Sequence, residues 1–285
     1  MNWKNILLAT MLIPGISSAL ADDAVAKKLD GFKTPESVLV LKDGRLFVSE
    51  INGFGKDGDG QISEIGTDGK VKVFATGLDD PKGLAIIGKD IYVADKTRII
   101  KIKPDGKWSV FTAAEDFPVK PLFLNDLAAD RDGNLYVSET GDLEKSSGGA
   151  IYRINPQGKV TFTINASDDQ RVLGPNGIVV NDDAKSILYV DFFSGVLYSL
   201  DINTKKLTQL AEGFGGGDGL VRTKSGIIYV SDWKNGKVFE VKHGKTSLIK
   251  SGYQSAADIG LSPDEKSLLV PDMKAGELIW LPLHK

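Results

Sequence analysis

Six polar side chains, Glu36, Lys82, Asn125, Asn176, Asp218 and Asp258, each open one copy of a repeated motif, and they are the residues best placed to do chemistry. Four of them, Glu36, Asn125, Asn176 and Asp218, offer two carboxylates and two carboxamide oxygens. Hard oxygen donors of this kind suit calcium, magnesium or manganese, with water completing the shell. Charge points the same way. Glu36, Asp218 and Asp258 contribute three negative charges, Lys82 contributes one positive charge, and a divalent cation closes the balance. Without an ion, those acids would crowd one low-dielectric channel and repel each other. The plain alternative is a hydrogen-bonded network around Lys82 with no ion.

The copies that carry these residues are 36–50 (ESVLVLKDGRLFVSE), 82–95, 125–139 (NDLAADRDGNLYVSE), 176–191, 218–232 and 258–272. Each reads as strand, tight turn and second strand ending in an acid. Recurrence every 40–50 residues or so, with several strands per period, is the signature of a β-propeller. The expected fold is therefore all-β, a six-bladed β-propeller forming one domain over residues 22–285. The first residue of each copy then lies beside the central channel. A spare strand at 24–32 resembles the closing strand 207–214, while the last copy ends one strand short. The two are expected to pair, so that the N-terminal strand completes the last blade and seals the ring. Gly31, Gly77 and Gly213 each stand five residues before the first residue of a copy, which supports that alignment.

The acids ending the second strands, Glu50, Asp95, Glu139, Asp191, Asp232 and Asp272, recur in every copy. They are expected to be structural, accepting backbone N–H bonds in the turns that follow. Two longer loops, 52–60 and 141–149, are rich in glycine and polar residues and read as mobile. Within 55–66 (GKDGDGQISEIG), Asp57 and Asp59 have calcium-loop spacing, but glycine stands where both end ligands belong. A Gly-rich connection is the preferred reading, with a weak peripheral ion as the alternative.

The chain of 285 residues has no cysteine and two histidines, His243 and His284, neither near a channel position. Thiol chemistry, Cys-ligated zinc, a Ser-His-Asp triad and a multi-histidine centre are set aside. Net charge is −3 with no basic block, so no nucleic-acid partner is expected. Residues 1–21 read as a signal peptide: Lys4, an apolar run too short to span a bilayer, and Ala19-Leu20-Ala21 as the cleavage site. A periplasmic or secreted protein follows, with no membrane span after cleavage and a small molecule as partner.

At TPES (34–37), LNDLAADRDGNLYVSET (124–140), GPNGIVV (174–180) and GDGL (217–220), the sequence resembles the senescence marker protein, gluconolactonase and regucalcin family of six-bladed propellers. Paraoxonases and strictosidine synthase-like proteins are similar more distantly. The resemblance implies a metal-dependent hydrolase of lactones or esters. It implies that Glu36, Asn125, Asn176 and Asp218 hold one divalent cation, calcium foremost and magnesium, manganese or zinc open, with Asp218 as catalytic base. Lys82 and Asp258 are then expected to meet substrate, Lys82 holding a carboxylate or steadying Asp258. Phe123 is expected to shape the pocket mouth. The family often has a sugar-contacting arginine where this chain has Phe123, which shifts the expected substrate from sugar lactones to a more apolar lactone or ester. TPES and DPKG (80–83) also resemble NHL-type propellers, so a non-catalytic propeller binding a small ligand or protein is the rival.

Overall fold

A computed structural model describes residues 27–283. The expected signal peptide, residues 24–26 of the spare strand and His284 lie outside the described residues. The chain forms six four-stranded antiparallel sheets arranged as a β-propeller. Blade one is Pro35–Val40, Leu46–Glu50, Gly60–Ile65 and Val71–Leu78. Blade two is Pro81–Ile87, Asp90–Asp95, Arg98–Ile102 and Trp108–Thr112. Blade three is Leu124–Ala129, Leu135–Glu139, Ala150–Ile154 and Val160–Asn165. Blade four is Pro175–Val180, Ser186–Asp191, Val196–Asp201 and Leu207–Glu212. Blade five is Gly217–Arg222, Ile228–Asp232, Lys237–Lys242 and Lys245–Ser251. Blade six is Gly260–Leu261, Ser267–Asp272 and Glu277–Pro282, completed by Lys28–Asp30.

That last pairing is the expected closure. Lys28 faces Ile279 and Asp30 faces Glu277. Side chains alternate across each sheet, so each blade presents apolar residues to both neighbours. The core accordingly lies between blades. One cluster joins Tyr92 and Ile99 of blade two to Val137 and Tyr152 of blade three. Another joins Val38 and Val48 of blade one to Leu269 and Leu278 of blade six, with Leu29 packed against it. The N-terminal strand thus adds apolar contacts as well as hydrogen bonds to the seam.

The feature that positions the site is a bulge at the start of each first strand. Pro35 faces Glu50 but Val38 faces Val48, so one extra residue is inserted, and the same slip falls at Pro81/Leu84, Leu124/Leu127, Pro175/Ile178 and Gly217/Leu220. A bulge re-aims a side chain and leaves an N–H without its ladder partner. Here a serine one residue before the terminal acid often takes that N–H. Ser49 Oγ accepts from Ser37, Ser138 Oγ from Asp126 and Ser231 Oγ from Gly219.

The terminal acids are structural, as expected, but their partners lie mainly upstream. Glu50 accepts from the Lys33 amide, Asp95 from Asp79, and Glu139 from Leu122 and Phe123. Asp191 accepts from Leu173 and Gly174, Asp232 from Gly216, and Asp272 from Gln254 and Ser255. Each acid therefore pins the loop that delivers its blade's channel residue. Four of them also accept amides from the following turn: Gly141, Ser194, Asn235 and Ala275.

Candidate active site

The bulges bring Glu36, Lys82, Asn125, Asn176 and Asp218 to the floor of one cavity of about 410 Å³. All five are buried, Lys82 at 1% exposure. Asp258 is not among them, which corrects the expected sixth position. In blade six, Ala256 faces Asp272, as Pro35 faces Glu50 in blade one. The residue equivalent to Glu36 is therefore Ala257, and Asp258 lies one place further along, equivalent to Ser37 and Asp126. The cause is the hairpin. Residues 262–267 make a longer turn with Glu265 at φ 55°, matching residues 181–186 of blade four with Ala184 at φ 54°. Aligning blade six on a shorter turn slips its start by one residue. Gly252, five residues before Ala257, carries the signal that identifies the true position.

Beneath the first ring lies a second, made of Ser37, Gly83, Asp126, Gly177, Gly219 and Asp258. The inner strands approach too closely here for most side chains. A Cβ on Gly83 would press on Asp126, one on Gly177 on the backbone of 218–220, and one on Gly219 on Asp258 and Ile259. The two acids of this layer are well partnered. Asp126 accepts from the Leu127 amide at 2.7 Å and from Ile178 of the next blade at 2.8 Å. Asp258 accepts from Ser37 Oγ at 2.5 Å, and the nearby amides of Leu220 and Ile259 favour its charged form. Asp126 is not among the sequence-predicted site residues, although its place beside Asn125, where blades one, two, four and five have serine or glycine, marks it.

The upper ring is not satisfied in this way. Glu36 Oε2 and Asn176 Oδ1 are buried without a hydrogen-bond partner. Asn125 directs its Nδ2 to Thr140 Oγ1 at 3.1 Å, and Thr140 Oγ1 donates to the Pro175 carbonyl at 3.0 Å. The Asn125 donor is thus engaged away from the ring. Asn176 stands beside Asp218 and favours its charged form. Burial lifts Glu36 well above the usual carboxylate range, and repulsion from Asp218, Asp258 and Asp126 adds to it. Burial lifts Asp218 likewise, with Asp258 the next cause. Asp126 is raised by burial and by Asp258, and burial pushes Asp258 up to about 7. Orphaned hard oxygens and mutually repelling carboxyls fit a divalent cation. Asp126 does, however, add a fourth acid, so the expected balance of three acids, Lys82 and a divalent ion falls one positive charge short. Among the described residues, no three His, Cys, Asp or Glu side chains converge as a ligand set, so the two carboxamides are essential to the fit.

Lys82 is held inside. Its Nζ donates to the Asp80 carbonyl at 3.1 Å and lies 4.2 Å from the centre of the Phe123 ring. Burial lowers its pKa, opposed chiefly by Glu36. Its counter-charge is Glu36 and not Asp258, so the expected steadying of Asp258 is not found. Phe123 lines the cavity, and Ile51, Phe54, Leu143, Phe192, Trp233 and Met273 complete an apolar wall. The loop 52–60 is pinned: Asp57 pairs with Lys96 at 2.5 Å and Asp59 with Lys56 at 3.3 Å. Asp80 and Asp79 accept the amides of Gly55 and Gly58. Asp59 Oδ1 and Asn52 Oδ1 in this loop are nevertheless buried without a hydrogen-bond partner.

With this geometry in hand, relatives are informative. The profile of the SMP-30/gluconolactonase/LRE-like region matches residues 85–251, more than half of the chain. The chain belongs to this family. Membership supports a lactonase-type hydrolase with a small-molecule substrate. Comparison with curated proteins found no match. Among solved structures, a gluconolactonase from Xanthomonas campestris superposes with a TM-score of 0.71 at 17% identity, covering 90% of each chain. Virginiamycin B lyase from Staphylococcus aureus gives 0.64 at 15% identity, covering 91% of this chain and 99% of that one. A catalytically inactive histidine-to-alanine variant of that lyase, with quinupristin, gives 0.63 at 17%, covering 91% and 99%. At these identities the structures establish the fold alone. Among the described residues, no helix is long and apolar enough to cross a membrane.

Proposed function

We propose that this chain is an exported lactone or ester hydrolase whose upper ring, Glu36, Asn125, Asn176 and Asp218, holds one divalent cation, calcium foremost. The observation that carries the reading is the pair of buried, partnerless oxygens, Glu36 Oε2 and Asn176 Oδ1, at the floor of an otherwise apolar cavity. When bound, such a cation supplies positive charge that polarises the scissile carbonyl. Asp218 takes a proton from the attacking water as the water oxygen bonds to the carbonyl carbon. The ring C–O bond then breaks, and the proton passes to the departing alkoxide oxygen, giving a hydroxy acid. Asn176 lies beside Asp218 and favours its charged form. Lys82 offsets the charge of Glu36 from its place on the floor.

Similarity to virginiamycin B lyase raises elimination as a second chemistry. The inactive histidine variant of that lyase marks a histidine as necessary there. In this chain His243 lies in an exposed turn between the two outer strands of blade five, remote from the ring. Hydrolysis is therefore the reading adopted. The test is a panel of lactones and aryl esters, assayed with parent protein, with chelator and after calcium is restored. Turnover that survives complete chelation refutes the cation's role. Cation binding without turnover of any member refutes the hydrolase and leaves the binding propeller. Intact mass of protein recovered from outside the cytoplasm tests export: the expected N-terminus is Asp22, and full-length retained protein refutes it.

A further inference from the structure

We infer that this site selects lactones or esters with an apolar body, an alkyl chain or aryl group, and that Phe54 and Leu143 grip that body. The inference rests on the hydrolase reading above. It follows from how polarity is divided within the cavity. Every charged lining side chain belongs to the floor, whereas the walls are aromatic or aliphatic: Phe54, Phe123, Leu143, Phe192, Trp233 and Met273. Even the ring turns apolar on one side, because its sixth member is Ala257, buried in a cluster with Ile51 and Met273 against which Trp233 packs.

A polyhydroxylated lactone would need wall groups to replace the water lost from each hydroxyl, since a buried polar group without a partner is costly. The wall has none free. Thr140 is the sole hydroxyl among the lining residues, and its Oγ1 already accepts from Asn125 and donates to the Pro175 carbonyl. Trp233 Nε1 donates to Met273 Sδ at 3.2 Å. Lys82 lies on the floor, where its ammonium faces the Asp80 carbonyl and the Phe123 ring. An alkyl or aryl body makes no such demand and gains from burial against these walls.

Two residues at the rim extend the wall outward. Phe54 is 57% exposed and Leu143 is 48% exposed, although both line the cavity. Neither loop is slack. Phe54 sits between Gly53 and Gly55, on the loop tied to Asp79, Asp80 and Lys96. Leu143 sits on a loop closed by the reciprocal backbone bonds of Asp142 and Ser147 and anchored by Glu139 accepting the Gly141 amide. Both apolar side chains are thus held over the opening, where a substrate tail leaving the ring would cover them.

The experiment uses calcium-loaded protein and compares kcat/KM for γ-butyrolactone, γ-octalactone, γ-dodecalactone and glucono-δ-lactone. The expected rise is about fourfold per added methylene until the wall is covered, the equivalent of about 0.8 kcal/mol each. Glucono-δ-lactone is expected to be at least a hundredfold poorer than γ-octalactone. The double variant Phe54→Ala, Leu143→Ala should flatten the chain-length dependence, with circular dichroism confirming its fold. As a readout without turnover, an alkyl-substituted γ-lactam should bind tighter with longer chains, measured by calorimetry on Asp218→Asn protein. Equal or better turnover of glucono-δ-lactone, or no dependence on chain length, overturns the inference and leaves the hydrolase reading standing. If no lactone turns over, the hydrolase reading fails instead; chain-length-dependent lactam binding then still supports the apolar-body site, and its absence overturns that too.

Discussion

Asp258 offers a test of the channel's electrostatics that needs no substrate. Its carboxyl is buried among Glu36, Asp218 and Asp126, and burial lifts its pKa from 3.8 to about 7. An acid whose pKa is raised by folding destabilises the fold as pH climbs from its unfolded value to its folded one, because the unfolded chain releases the proton more readily. The loss for Asp258 begins near pH 4 and is complete above about pH 7. About three pH units at about 1.4 kcal/mol each give about 4 kcal/mol. Asp258→Asn removes this titration. It also turns an amide nitrogen toward one of the donors that face this carboxyl, Ser37 Oγ or the nearby amides of Leu220 and Ile259. That costs about 1 kcal/mol independent of pH. The variant should therefore be slightly less stable than the parent at pH 4, match it near about pH 4.5, and exceed it by about 3 kcal/mol at pH 8. Urea unfolding at several pH values, with chelator present and slopes compared for two-state behaviour, measures the difference. A difference that stays flat across that range, or that moves in the opposite direction, refutes the description of Asp258 as a buried, charge-crowded acid.

Calcium should raise the melting temperature of the parent, with about 2.7 kcal/mol gained at a hundredfold excess over its dissociation constant; an undiminished gain in both Glu36→Gln and Asn176→Ala, followed by calorimetry, would move the ion away from the ring. Asp218→Asn should retain most cation binding and lose roughly 10²–10⁴ in turnover, and wild-type rates in that variant would remove Asp218 as the base. Truncation through Asp30 strips blade six of its outer strand and uncovers the cluster around Leu278; a melting curve unchanged from the parent would contradict closure by this strand. Gly177→Ala should prevent native packing of blades four and five, because its Cβ would press on the Asp218 carbonyl; a soluble, calcium-binding variant would contradict that close approach.

The fold was legible because its repeat is written in two periodicities at once, alternation within strands and recurrence between blades. The closure was legible for the same reason: Gly31, Gly77 and Gly213 all adopt positive φ at the same point before a channel residue. What misled was a single residue. Counting back from Asp272 across a hairpin of assumed length places Asp258 in the ring, whereas counting forward from Gly252 places Ala257 there. Hairpin length varies between blades, whereas blades one, two, five and six all keep a positive-φ glycine five residues before the channel position. The second layer was harder to foresee. Asp126 differs from Gly83, Gly177 and Gly219 only in filling space that those glycines leave to their neighbours, and that space exists only once the strands have met around the channel.

The same bulge explains why the two layers behave differently. It aims one side chain of each pair up toward the cavity and leaves the next beside the backbone of an adjacent blade. Residues of the lower layer therefore find amides within reach, and Asp126 and Asp258 tie blade three to blade four and blade six to blades one and five. Residues of the upper layer find mostly one another, and Glu36 and Asn176 are left with buried oxygens unmatched. A network centred on Lys82 does not resolve this, since its ammonium donates to the Asp80 carbonyl and neither Glu36 Oε2 nor Asn176 Oδ1 receives a bond from it. The lower acids are accounted for by holding the ring together. The upper oxygens are left for something brought from outside the chain, and the apolar walls above them leave the floor as the place where polar chemistry can occur.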